Sequence, residues 1–154
     1  IEKGTGKRKI KEVLGADILS QTVYVPQGYI VYGKLRPYLN KYWENNTEDN
    51  NIICSSEFFV FDIQNINKDY FVTILASDIV QKQLPPLYSG ARMPRINEDD
   101  FSGLQIPLPP ENIQIEIAEY SNAVKEKSEA LRGEAESLRQ RAKKEFEEAV
   151  FSGV

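Results

Sequence analysis

The sequence predicts an α+β fold: a small, mixed, largely β domain followed by one long coiled-coil helix. Two observations carry this. All eight prolines and 13 of the 16 aromatic residues lie at or before Pro110, whereas the 44 residues beyond it hold no proline and only Gly133 and Gly153 as breakers. In that second stretch, large apolar residues recur every seven positions, a helical period. The boundary is therefore placed after Pro110, with residues 1–110 as one domain and residues 111–154 as the helix.

In the first region the punctuation is regular. Residues 22–25 form a short β-branched and aromatic run stopped by the turn Pro26-Gln27-Gly28. Residues 29–34 resume as a strand that alternates Ile30 and Tyr32 against Tyr29, Val31 and Gly33. Leu35-Arg36-Pro37-Tyr38-Leu39-Asn40-Lys41 is too irregular for a regular element, and residues 44–51, rich in Asn and acid, read as a loop. Phe58-Phe59-Val60-Phe61 is a dense apolar run, expected to be a fully buried strand. Residues 70–83 place Phe71, Ile74, Leu75, Ile79 and Val80 at helical spacing, with Asn67 as cap and Pro85-Pro86 as stop. Residues 88–95 are a loop containing Gly90 and Pro94. Residues 97–101 read as a helical turn capped by Asn97, and residues 104–107 as a last short strand.

In the second region Ile117, Val124, Leu131 and Leu138 stand seven apart, each followed four positions on by a small residue: Ser121, Ser128, Ala135 and Ala142. That is a seam of one large and one small position per heptad, and the small ones let a partner backbone approach closely. A helix of about 40 residues runs roughly 60 Å at 1.5 Å per residue. A domain of about 110 residues has a radius near 13 Å, so such a seam asks for a second helix rather than its own domain.

Composition excludes several chemistries. One cysteine, Cys54, and no histidine leave no internal disulfide, no four-ligand Cys/His zinc site and no imidazole-assisted nucleophile. The lone cysteine suits a reducing compartment and is assigned a packing role. No apolar run reaches the ~20 residues of a membrane span. Ile1 opens the sequence without a signal-like segment after it, and the chain is expected to be a fragment or processed piece. The net charge of −4 argues against nucleic acid at face value, but it is unevenly spread. Through Pro110 there are 12 Lys/Arg against 13 Asp/Glu, and beyond it 7 against 10. At the start, Lys3, Lys7, Arg8, Lys9 and Lys11 face only Glu2.

No catalytic signature survives inspection. Gly4-Thr5-Gly6-Lys7 lacks the Ser or Thr after its lysine and the upstream glycine of a phosphate-cradling loop. Leu84-Pro85-Pro86-Leu87 and Leu108-Pro109-Pro110-Glu111 lack the polar residue of an amino-methyltransferase motif. Glu98-Asp99-Asp100, at the start of a helical turn, reads as dipole stabilisation rather than a metal site. What remains is cationic loops. Lys34, Arg36, Tyr38, Asn40 and Lys41 fall within one short segment, Arg92 and Arg95 within another. An arginine fork matches guanine in the major groove, asparagine can do the same for adenine, and lysines contact phosphate. From the residues alone Arg36 and Arg95 are equally well read as hydrogen-bonding carbonyls of their own loops.

Tyr32-Gly33-Lys34-Leu35-Arg36-Pro37-Tyr38-Leu39-Asn40-Lys41, then Ser55-Ser56-Glu57-Phe58, then Gly90 with Met93-Pro94-Arg95-Ile96, then Ile106-Pro107-Leu108-Pro109-Pro110 with Gln114 and Ile117, stand in order along the chain. This set resembles the target recognition domains of type I restriction–modification specificity subunits, and covers nearly the whole sequence. The resemblance implies a recognition domain at 1–110, lacking its N-terminal strand, and a helix at 111–154 that acts as coiled coil and subunit spacer. It implies a sequence-specific reader of one half of a bipartite double-stranded DNA target, without catalytic residues or metal. The DNA-binding candidates are Lys7, Arg8, Lys9, Lys34, Arg36, Tyr38, Asn40, Lys41, Arg92 and Arg95. The implied partners are DNA methyltransferase subunits docked on the helix, a restriction or motor subunit indirectly, and a second recognition half or a twin chain through the seam. S-adenosylmethionine and ATP would belong to those partner subunits, in the cytoplasm of a bacterium or archaeon. Two other readings stand beside it: the recognition tail of a fused single-chain restriction–methyltransferase enzyme, and a coiled-coil adaptor without a DNA role.

Overall fold

The computed structural model describes residues 1–8, 12–49 and 51–151. By the contacts it makes, the chain divides into two units, Ile1–Gln114 and Ile115–Val154.

Two antiparallel sheets organise the first unit. Strands β1 (Thr22–Tyr24) and β4 (Ile53–Ser55) form a two-stranded ribbon, pairing Val23 with Cys54. Strands β2 (Ile30–Gly33), β3 (Tyr42–Glu44) and β5 (Phe58–Phe61) form the other sheet, ordered β3-β2-β5. In it Val31 lies opposite Trp43 on one side and Val60 on the other. β2 does not alternate as its sequence suggests: Ile30, Val31, Tyr32 and Gly33 are all buried, as befits a central strand covered on both faces. In β5 only Phe59 is buried and its neighbours are half-buried, less than the full burial expected of that run.

Helix α3 (Glu98–Ser102) covers one face of this sheet through a single ring. Phe101 stacks on Tyr32 at 4.9 Å and on Phe59 at 4.7 Å, and meets Phe61 edge-on at 5.7 Å. Asn97 caps α3 by accepting from the Asp100 amide, and Asp99 and Asp100 sit in its first turn.

The single helix expected over residues 70–83 is two. Helix α1 (Lys68–Ala76), capped by Asn67 as its sequence indicates, ends at Ser77, and α2 (Asp78–Gln81) begins there. The cause is local: the Ser77 hydroxyl donates back to the Ile74 carbonyl at 2.6 Å and accepts from the Ile79 amide at 3.2 Å, so one residue closes one helix and caps the next. The strand expected at 104–107 is absent. In its place the Gln83 side chain grips the Gln105 main chain, accepting from its amide at 2.9 Å and donating to its carbonyl at 2.8 Å. The polar stretch 44–51 is a loop only in part, for it opens with the last residue of β3 and a fully buried Asn45. Asn45 donates to the Val25 carbonyl at 2.9 Å and accepts from Thr47, which satisfies its amide inside the core.

Helix α4 spans Glu111–Phe151, 41 residues. Its first turn belongs to the first unit, where buried Gln114 accepts from the Asn67 amide and donates to the Pro109 carbonyl, both at 2.8 Å. In the second unit Ile117, Val124, Leu131 and Leu138 are exposed, at 37%, 49%, 56% and 52%. Of the small seam residues Ser121 is half-buried, and Ser128, Ala135 and Ala142 are exposed. No helix among the described residues is long and apolar enough to cross a membrane.

Candidate nucleic-acid interface

The end of β2 and the turn between β4 and β5 meet a third segment, residues 88–96, through main-chain hydrogen bonds. The Lys34 amide donates to the Glu57 carbonyl at 2.8 Å, the Ile96 amide to the Lys34 carbonyl at 3.1 Å, and the Arg36 amide to the Pro94 carbonyl at 2.7 Å. Leu35 and Arg95 thus form an antiparallel bridge, and Arg95 bridges Ser89 as well. The amides and carbonyls of Ser89 and Arg95 are exchanged at 2.8 and 2.9 Å, which closes the 89–95 loop at its base. Gly90 makes that closure possible: its φ is +83°, and a Cβ there would stand 3.3 Å from the Met93 carbonyl oxygen.

Side chains on this frame fall into two groups. Several serve the protein itself. The Lys34 ammonium donates to the Ser56 carbonyl at 3.0 Å and lies 5.0 Å from the Phe59 ring centre. Asn40 donates to the Ala76 carbonyl at 2.9 Å, so its amide nitrogen holds the 34–41 segment to the end of α1. Arg95 grips Glu57 as a fork, Nε to Oε2 at 3.1 Å and Nη2 to Oε1 at 3.0 Å. The hydrogen bonds and charge of Arg95 hold the Glu57 carboxyl below its ordinary range. Glu57 was not among the sequence-derived candidates, although it lies inside the Ser-Ser-Glu-Phe string; only the fold reveals its partner.

The second group has no polar partner among the described residues. Arg36 and Arg92 are exposed, Lys41 is half-buried, and none of the three makes a side-chain hydrogen bond or ion pair among the described residues. Tyr38 is 48% exposed and meets Tyr88 edge-on at 6.5 Å. Arg36 and Asn40 bracket the 3-10 turn Pro37–Leu39, and both are left-handed, at φ +51° and +46°. A non-glycine residue there costs about 1–3 kcal/mol and persists only where its surroundings impose it. Beneath the turn, buried Tyr32 donates to the Pro37 carbonyl at 3.4 Å and accepts from Gln81 at 2.9 Å. Burial pushes the Tyr32 phenol up to about 12.

The basic N-terminal candidates divide. The Arg8 guanidinium lies 4.9 Å from the Trp43 ring centre, a cation–π contact, and Lys7 is exposed. The Gly4 amide donates to the Asn40 carbonyl at 3.0 Å, which ties this segment to the far end of the Pro37–Leu39 turn. Lys9 lies outside the described residues. Among the described residues no three His, Cys, Asp or Glu side chains gather as metal ligands. Burial pushes the Cys54 thiol up, away from reactivity.

The comparisons with known proteins bear on this arrangement. No curated protein sequence matches the chain significantly. The crystal structure of the HsdS subunit from Thermoanaerobacter tengcongensis matches with a TM-score of 0.71 and 26% identity, over 86% of this chain and 35% of that one. A chain from a structure of type I R-M system assembly and conformational transition matches with a TM-score of 0.68 and 25% identity, over 82% of this chain and 34% of that one. The chain thus spans about a third of the length of each. The family model described as type I restriction modification DNA specificity domain matches residues 6–140, nearly the whole sequence. With that match, over a domain of small antiparallel sheets followed by a long helix, the chain belongs to the type I restriction–modification DNA specificity domain family.

Proposed function

We propose that the first unit reads one half of a bipartite double-stranded DNA target and that α4 docks DNA methyltransferase subunits. The single observation that carries this is the main-chain frame joining residues 34–36, 57 and 94–96, from which Arg36 projects exposed, two positions before the exposed Tyr38, with no side-chain hydrogen bond or ion pair among the described residues. Side chains held this way have hydrogen-bonding capacity that the protein does not use, next to an aromatic surface. The exposed Ile117, Val124, Leu131 and Leu138 row supports pairing with a second helix, from another recognition half or a twin chain. On this reading the chain performs no chemistry; S-adenosylmethionine and ATP are held by the methyltransferase and motor subunits.

The low net charge shapes the test. With 12 cationic against 13 acidic residues through Pro110, the unit alone has little long-range attraction for a polyanion. Binding of random and target duplex is measured for the chain alone and for the chain assembled with its methyltransferase, across a salt series. The expected result is weak binding alone and tight, salt-dependent binding in the assembly. Equal affinity in both states would overturn the docking role. No DNA binding in either would leave the helix as a protein adaptor.

A further inference from the structure

We infer, resting on the DNA-reading function just proposed, that Arg36 is the base-reading arginine of this unit. The three loop arginines stand in three different states. Arg95 has the hydrogen-bonding edge that would match guanine already engaged, with Nε and Nη2 both on Glu57. Arg92 lies inside the closed 89–95 loop, where the main chain of residues 91–93 makes no hydrogen bond among the described residues. Its side chain is carried on a loosely fixed backbone, which suits a phosphate contact better than a base edge.

Arg36 is the opposite case. Its amide donates to Pro94 at 2.7 Å and its carbonyl accepts from Leu39 at 2.8 Å, so its Cα is fixed from both sides. Its φ and ψ are +51° and +60°, and it precedes Pro37, two conditions that disfavour any residue with a Cβ. Glycine would relieve the first at no steric cost. Yet the Arg36 side chain is exposed and makes no hydrogen bond or ion pair among the described residues, so no polar contact there offsets the strain. A planar fork with free donors, on a backbone position pinned before any ligand arrives, is what reading a base edge requires.

The test uses the chain assembled with its methyltransferase subunits and a pool of duplexes randomised across the target. Sequences are selected and their base preferences read for wild type, Arg36→Gly, Arg36→Lys and Arg95→Ala. The expected result is that Arg36→Gly and Arg36→Lys each lose roughly ten- to a hundredfold discrimination at one and the same base pair, with the other preferences kept. Arg95→Ala keeps the wild-type preferences. The Tm of Arg36→Gly is expected at or above that of wild type, because glycine is at ease where arginine is strained. Unchanged discrimination in Arg36→Gly, uniform loss across all sequences, or full rescue by lysine would each overturn the assignment. So would a Tm lower by more than about 4 °C, which would mean that the side chain supports the loop. If the wild-type assembly selects no sequence at all, the DNA-reading function itself falls; if it does and Arg36→Gly matches it, only the role of Arg36 falls.

Discussion

Arg95 and Glu57, 38 residues apart in sequence, meet as a two-pronged ion pair that joins the β4–β5 turn to the 88–96 loop. The same two segments are each bonded through the main chain to Lys34, so the side-chain link reinforces a frame that already exists. Both partners are about half exposed, 47% and 40% for their side chains, so water screens the pair and it adds little to stability.

The pair makes the frame acid-sensitive. The folded Glu57 carboxyl titrates below its ordinary range, chiefly because Arg95 donates to it. Its contribution is therefore complete above the ordinary glutamate range and is lost as the pH falls through the lowered value. Glu57→Gln is expected to lower Tm slightly at neutral pH and to equal wild type in strong acid. Thermal melts from neutral pH to about pH 2 check this, and a difference that persists unchanged at the acid end would refute it.

Tyr32→Phe tests the support under the Pro37–Leu39 turn. Removing the hydroxyl leaves the Gln81 amide and the Pro37 carbonyl without their buried partner, at a cost of about 1–3 kcal/mol in urea unfolding. The phenol titrates near 12, so its contribution is complete below the ordinary tyrosine value and disappears as the pH rises through 12. The variant should lose this part of the alkaline sensitivity.

Gly90→Ala addresses the closed loop. A φ of +83° with a Cβ at 3.3 Å from the Met93 carbonyl forces the backbone to move, costing about 1 kcal/mol or more. Faster hydrogen exchange at the Ser89 and Arg95 amides is the expected sign. Unaltered protection at both would show that the loop tolerates a side chain.

Leu131→Asp or Leu138→Asp places a charge in the seam of α4, where pairing would bury it. Sedimentation should show loss of the paired species and of methyltransferase binding, with the melt of the first unit unchanged. Retained association would remove the pairing role from this row.

Cys54→Ser is expected to change stability by about 1 kcal/mol or less, since the thiol is only half-buried and opposes Val23 across a two-stranded ribbon. Wild-type Cys54 should react slowly with thiol reagents at neutral pH, because burial keeps it protonated. Rapid labelling of the folded chain would contradict that.

What could be read from the sequence was local. Asn67 and Asn97 cap the helices they precede because a side chain bonding to an amide three residues on needs no distant partner. The seven-residue period of α4 is likewise written in nearby residues of one segment. The misses are non-local or turn on a single side chain. β3 and β4 are three residues each, too short for a period to register, and exist because β2 and β1 pair with them. Ser77 splits a helix that apolar spacing alone would continue. At the candidate site, the segments were visible as strings, but the commitment of Asn40 to Ala76 and of Arg95 to Glu57 depends on contacts 36 and 38 residues away. No window of sequence contains both ends.

The frame joining residues 34–36, 57 and 94–96 is tied by amides and carbonyls, and the side chains of Arg36 and Tyr38 take no part in its bonds. On the DNA-reading function proposed above, exchanging the residues at positions 36 and 38 would alter what the surface recognises while those main-chain bonds remain. On that proposal a new DNA address takes only a handful of substitutions, much as a printing forme takes new type without being recast.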